Sequence, residues 1–195
     1  MRKIKGQAAV FMDRDGTITE EVGYLDSLEK LVIYPQTFAA VRKINENGMK
    51  SVVITNQSGV ARGIFTEALV AEVHRRIQDA LKEMDAHIDA FFYCPHHPTE
   101  GEAPYRQLCN CRKPEAGMII TAAKEMAIDL KQSYMIGDTL KDIEAGIKAG
   151  AKGVLVRTGY GREQEKELAS SPVRPAYIAD DILEAVDWII IEQQK

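Results

Sequence analysis

The chain has 195 residues, 45% of them hydrophobic and 28% charged, a globular proportion that excludes low-complexity, collagen-like and wholly disordered chains. With 25 Lys and Arg against 29 Asp and Glu, the formal net charge of −4 argues against a general binder of nucleic acid or anionic membrane. No apolar run approaches the roughly 20 residues of a membrane helix, and the length suits a single domain over 1–195.

The start, Met1-Arg2-Lys3-Ile4-Lys5, looks like the basic opening of a secretion signal. The apolar run behind it, Ala8–Met12, stops at Asp13-Arg14-Asp15, too early for a signal core, so a cytoplasmic protein is expected. Ala8–Met12 reads instead as a first strand. Pro35 suits a first helical turn, and Phe38, Val41 and Ile44 put one apolar face on a helix over Thr37–Asn47, with Gly48 as its stop. Ser51–Thr55 is a second strand. Thr66 is placed to cap a helix reaching about Met84, with Leu69, Val73, Ile77, Leu81 and Met84 as core positions. Ile88–Tyr93 reads as strand, Gly117–Ala127 as helix and Tyr134–Ile136 as strand. Leu140–Ala149 reads as a helix stopped by Gly150, Val154–Arg157 as strand, Ala176–Ile178 as a short strand and Ile182–Ile191 as helix. Glu163–Glu167 reads as a solvated helix face, and Gly159-Tyr160-Gly161 as a turn. This alternation predicts an α/β fold whose mostly parallel sheet is covered on both faces.

Three polar signatures fall at the carboxyl ends of predicted strands, the edge where open α/β sheets bind ligands. They are Asp13-Arg14-Asp15-Gly16-Thr17, Thr55-Asn56-Gln57-Ser58-Gly59 and Gly137-Asp138-Thr139-Leu140-Lys141-Asp142; Lys113-Pro114 precedes another helix. Each residue alone has an ordinary explanation as a cap, a turn or a surface charge. Together, Asp13, Asp15 and Asp138 would repel one another unless a cation lay between them, and hard oxygen donors suit Mg²⁺. A carboxylate beside Mg²⁺ can attack phosphorus to form an aspartyl phosphate, while a second carboxyl group handles the protons.

All three cysteines fall in one window, Cys94 with His96 or His97, then Cys109 and Cys111. Three thiols and an imidazole complete a tetrahedral structural Zn²⁺ site with no open position, and thiols used this way fit a reducing compartment better than a disulfide framework. A zinc loop ending at Cys111 would pin the adjacent Arg112 and Lys113.

Asp13-x-Asp15-Gly16-Thr17, Thr55-Asn56, Lys113-Pro114 and Gly137-Asp138-x-x-x-Asp142 resemble, in order, the four motifs of the haloacid dehalogenase superfamily. Asp13–Ile18, Thr55–Gly63, the cysteine window and Cys111-Arg112-Lys113-Pro114 more narrowly resemble the D-glycero-D-manno-heptose 1,7-bisphosphate 7-phosphatases, over about Val10 to Gly159. The resemblance implies a Rossmann-like three-layer α/β/α fold, a Mg²⁺-dependent phosphomonoesterase and an aspartyl-phosphate intermediate. It implies Asp13 as nucleophile, Asp15 as general acid and base, and Thr55 and Lys113 as holders of the phosphoryl group. Asp13, Asp15 (through its backbone carbonyl) and Asp138 become the Mg²⁺ ligands, and Cys94, His96, Cys109 and Cys111 the Zn²⁺ ligands. Asp142 becomes a partner of the metal shell or of Lys113.

The chain between the motifs is used up by single helices, a strand and the cysteine loop, which leaves no segment for a large cap domain. Specificity is then expected from short loops: Glu21, Gly23 and Tyr24, joined by Asn56, Gln57, Ser58 and Arg62. A bisphosphorylated sugar needs a second anion contact, for which Arg112 is the first candidate, with Arg62 and Arg106 next. Glu21-Val22 and Thr139 depart from the relatives' pattern and leave the sugar anomer open. Histidinol phosphate is the rival substrate, and a non-catalytic phosphosugar-binding module is the rival class. The expected partner is a small phosphorylated sugar, with no nucleic acid or membrane, bound by a monomer.

Overall fold

The apolar runs lie side by side in one parallel sheet. The computed structural model describes residues 6–195; Met1-Arg2-Lys3-Ile4-Lys5 lie outside the described residues. The strands are β1 (Ala9–Met12), β2 (Lys50–Asn56), β3 (Ala90–Cys94), β4 (Tyr134–Gly137), β5 (Lys152–Val156) and β6 (Tyr177–Ala179). They run in the order β3-β2-β1-β4-β5-β6, every pairing parallel. Parallel neighbours require crossover connections. The helices among these are α1 (Pro35–Glu46), α2 (Glu67–Lys82), α3 (Gly117–Glu125), α4 (Leu140–Ala149), α5 (Gly161–Glu167) and α6 (Ile182–Gln193).

Side chains alternate across β1, as the two-residue strand period demands. Val10 and Met12 join a core formed with α1, α2 and α6, through residues such as Val41, Ile77 and Val186. Ala9 and Phe11 point the other way, onto Met118, Ile119 and Ala122 of α3 and Ala145 of α4. Both faces are therefore covered, the three-layer arrangement expected from the alternating pattern. Among the described residues, no helix is long and apolar enough to cross a membrane.

The local signals have visible counterparts. Thr66 caps α2 by accepting from the Leu69 amide at 3.3 Å. Thr139 and Asp142 form a reciprocal capping box at the start of α4, which ends at Gly150 with φ of 94°. Met84 is a correction: α2 stops at Lys82, the chain turns through Asp85 at positive φ, and Met84 is left 48% exposed instead of joining the core. Two short 3₁₀ turns, Leu28–Lys30 and Leu130–Gln132, have no apolar period to announce them in sequence.

From β1 the chain crosses to one side of the sheet, and from β4 to the other. The carboxyl ends of these two adjacent central strands therefore open a crevice, where doubly wound sheets bind their ligands.

Candidate active site

Asp13 immediately follows β1, and its amide donates to the Ile136 carbonyl of β4 at 2.9 Å, which fixes it at that crevice. Asp138 follows β4 and is buried between two glycines. A Cβ on Gly16 or on Gly159 would lie 2.2 Å from Asp138 Oδ2, and both glycines have positive φ, so no other residue fits either position without displacing the carboxylate. The Tyr160 amide donates to the same oxygen at 2.9 Å.

Lys113 is buried among these acids. Its Nζ lies 2.7 Å from Asp13 and 2.6 Å from Asp142, and donates to the Ile54 carbonyl at 2.8 Å. Burial alone would depress this ammonium, but the carboxylates of Asp13 and Asp142 outweigh it and hold its pKa above the ordinary lysine value. Burial pushes Asp13 up to about 7, against the pull of Lys113. It also pushes Asp138 up to about 8, helped by repulsion from Asp142 and Asp13. Oxygens of Asp13, Asp138 and Asp142 lie within 4.8 Å of one another. Three buried carboxylates facing one ammonium leave a negative surplus that a divalent cation would balance, and an all-oxygen donor set suits Mg²⁺. The residues fit the metal.

Asp15 is oriented differently from its neighbours. Arg14, itself buried, grips both its oxygens at 3.0 and 2.8 Å, and Gln57 Nε2 donates to Oδ2 at 2.9 Å. Its carboxylate thus stands outside the acidic cluster, which contains Asp142 instead. Gln57 also donates to Thr55 Oγ1 at 2.8 Å, so this residue, expected to face substrate, ties Thr55 to Asp15. Asn56 is likewise engaged with protein: its side-chain amide exchanges hydrogen bonds with the Lys113 backbone at 3.0 and 3.1 Å. Asp142 Oδ2 accepts from the Thr139 amide and hydroxyl, which leaves Oδ1 for Lys113.

A cavity of about 270 Å³ opens onto this cluster. Asp13, Asp15, Thr55, Lys113 and Asp138 line its floor, while Glu21, Gly23, Tyr24, Asn56, Gln57 and Ser58 also reach it. Arg62 and Arg112 do not line it. Arg62 pairs with Glu100 and touches His97 Nε2 at 3.1 Å, and Arg112 donates to the His96 carbonyl at 3.2 Å.

The cysteine window forms a second cluster. Cys94 Sγ lies 3.6 Å from Cys109 Sγ, 3.2 Å from Cys111 Sγ and 3.7 Å from His96 Nδ1, and Cys111 Sγ lies 3.3 Å from that nitrogen. Tetrahedral zinc with bonds of about 2.3 Å to sulfur and 2.0–2.1 Å to nitrogen has edges close to these lengths, so the four donors fit zinc. His97 does not join them: its Nδ1 accepts from the Thr99 and Glu100 amides at 3.3 and 3.0 Å.

A HAD-hydrolase-like family model matches residues 110–185. The D-glycero-beta-D-manno-heptose-1,7-bisphosphate 7-phosphatase of Escherichia coli K12 is 41% identical over 168 residues, spanning 85% of this chain and 87% of its own length. That of Haemophilus influenzae is 42% identical over 177 residues, or 90% and 93%. The chain belongs to the D-glycero-D-manno-heptose 1,7-bisphosphate 7-phosphatase family. Among solved structures, a D,D-heptose 1,7-bisphosphate phosphatase from B. bronchiseptica, complexed with magnesium and phosphate, is similar with a TM-score of 0.84 and 30% identity, over 95% of this chain and 99% of that one.

For this member of the phosphatase family, several residues at the site were not singled out from the sequence. Arg14 clamps Asp15, Gly159 and Tyr160 wall Asp138, and Phe65, Lys141 and Tyr160 line the cavity. Gly159-Tyr160-Gly161, read as a bare turn, carried a signal in hindsight: it follows β5, so it reaches the same sheet edge as the motifs.

Proposed function

We propose that this phosphatase removes the C7 phosphate of D-glycero-D-manno-heptose 1,7-bisphosphate. The observation that carries the reading is the Asp13–Lys113–Asp142 ion network beside Asp138, at the floor of an open cavity on the sheet's switch point. Asp13 attacks phosphorus, the bond from phosphorus to the C7 oxygen breaks, and Asp15 delivers a proton to the departing oxygen. Asp15 then takes a proton from water as that water attacks the aspartyl phosphate, which returns Asp13 to its carboxylate and releases phosphate. Lys113 and the Thr55 hydroxyl hold the oxygens of the phosphoryl group through both steps. Asp13, Asp138 and the Asp15 carbonyl are the residues that would hold Mg²⁺, which when bound neutralises phosphoryl charge and orients the group toward Asp13. Arg14 holds both oxygens of Asp15, and Gln57 donates to one of them, which fixes the carboxylate in position at the cavity.

Cys94, His96, Cys109 and Cys111 would hold a structural Zn²⁺, whose loop leads directly into Lys113. Specificity falls to Glu21, Gly23, Tyr24 and Ser58 at the cavity mouth. The chain acts as a single domain and as a monomer in the cytoplasm. The test is phosphate release from both heptose bisphosphate anomers and from histidinol phosphate, with wild type and Asp13→Asn. Preferred turnover of a heptose bisphosphate, abolished in Asp13→Asn, is expected; preference for histidinol phosphate would replace the substrate, and no release by wild type would remove the enzymatic reading.

A further inference from the structure

A bisphosphorylated sugar bound with one phosphate at Asp13 must place the other elsewhere in the same cavity. That cavity is unwelcoming to a second anion: five of its lining residues are acids, namely Asp13, Asp15, Glu21, Asp138 and Asp142. Its basic lining residues are Arg14, Lys113 and Lys141. Arg14 is spent on Asp15, and Lys113 on Asp13 and Asp142, both with side chains only 2% exposed. Lys141 is exposed and makes no ion pair or side-chain hydrogen bond to the described residues.

Its location is also unusual for a structural lysine. It occupies the first turn of α4, where the helix dipole disfavours a cation. Lys148, in the last turn of the same helix, follows the dipole rule and pairs with Glu115 and Glu144. A lysine set against the dipole, unpaired and at the rim of an acidic cavity is a local inconsistency of the kind that marks function.

We infer that Lys141 binds the distal, C1 phosphate of the substrate and makes the enzyme favour bisphosphates over monophosphates. This rests on the substrate reading above. One charge-assisted contact to a phosphate changes affinity by about ten- to hundredfold. Lys141 touches neither the reacting phosphorus nor Asp13 in this reading, so its removal acts mainly on KM, and its flexible, point-like ammonium suits a phosphate whose position differs between anomers.

The experiment compares heptose 1,7-bisphosphate with heptose 7-phosphate, which lacks the distal group, for wild type, Lys141→Ala, Lys141→Arg and the remote Lys148→Ala. In Lys141→Ala, kcat/KM for the bisphosphate should fall about ten- to hundredfold through KM, with far less change for the monophosphate. Lys141→Arg should retain most of the preference, and Lys148→Ala should keep the wild-type ratio. Equal losses on both substrates, or no loss on either, overturn the inference while leaving the substrate reading intact, as does wild type showing no preference between them. Failure of wild type to release phosphate from either one overturns the substrate reading and this inference together.

Discussion

Lys113→Met removes the one ammonium that, among the described residues, faces the buried acids of the site, and its cost follows from the geometry. The Lys113 side chain is 2% exposed, with Nζ 2.7 Å from Asp13 and 2.6 Å from Asp142. Deleting one partner of such a group leaves uncompensated charge in a dry site, which costs about 3–5 kcal/mol. For a domain of this size, each kcal/mol lowers Tm by roughly 2–4 °C, so a fall of about 6–20 °C is expected. Lys113 titrates above 10.5, so its contribution is complete at neutral pH and is lost only as strong alkali passes through the raised value. The assay is calorimetric unfolding in EDTA and again in saturating Mg²⁺. Mg²⁺ should restore part of the loss, because it neutralises Asp13, one of the two carboxylates that Lys113 faces. Lys113→Met with Asp142→Asn should be more stable than the two separate losses added together, since one orphaned charge is gone. A Lys113→Met variant that melts with wild type in EDTA, or strict additivity in the double variant, would refute the coupled network.

Zinc removal and His74 give further predictions. Stripping zinc, or Cys109→Ser, should loosen the loop from Cys94 to Cys111 and lower both Tm and turnover, with metal analysis giving one zinc per active chain; full activity in a folded, zinc-free protein would contradict this. His74 is buried and stacked on Phe91 at 4.6 Å, and burial, reinforced by the nearby Arg14 charge, holds its pKa at about 3 against an ordinary 6.5. Between those values the unfolded chain binds a proton that the folded chain refuses, so stability should fall as pH drops, by about 1.4 kcal/mol per pH unit. His74→Phe should remove that part of the slope in urea midpoints measured at neutral and mildly acidic pH, and equal slopes in the two proteins would contradict it.

The sheet was legible because its strands are short apolar runs that end in polar motifs, and those ends necessarily share one edge when the sheet is parallel. The cysteine cluster was legible because thiols have few other uses in so small a window. Residues that act through partners distant in sequence were not. Asn56 and Gln57 look like substrate donors beside Thr55 and do line the cavity, but their bonds to the Lys113 backbone and to Asp15, 57 and 42 positions away, are not readable from the motif. Arg112 stands beside Lys113 in sequence, and one of its donors anchors it to the His96 carbonyl of the cysteine loop, a contact 16 positions away that sequence does not announce. The place of Gly159 after a strand puts it at the motif edge, but its role, leaving room for Asp138, depends on a carboxylate supplied by a different strand end. Met84 kept the helical spacing of its neighbours, but spacing alone does not show where a helix gives way to a turn.

The central claim is that an oxygen of Asp13 bonds to phosphorus during turnover. Acid quenching of the wild-type protein during turnover of heptose 1,7-bisphosphate with Mg²⁺, followed by peptide mass spectrometry, tests it most directly. The peptide containing Asp13 should carry one added phosphoryl group, absent in Asp13→Asn. A phosphoryl group on any other residue, or an unmodified Asp13 peptide under conditions where the C7 phosphate is being released, would contradict the account.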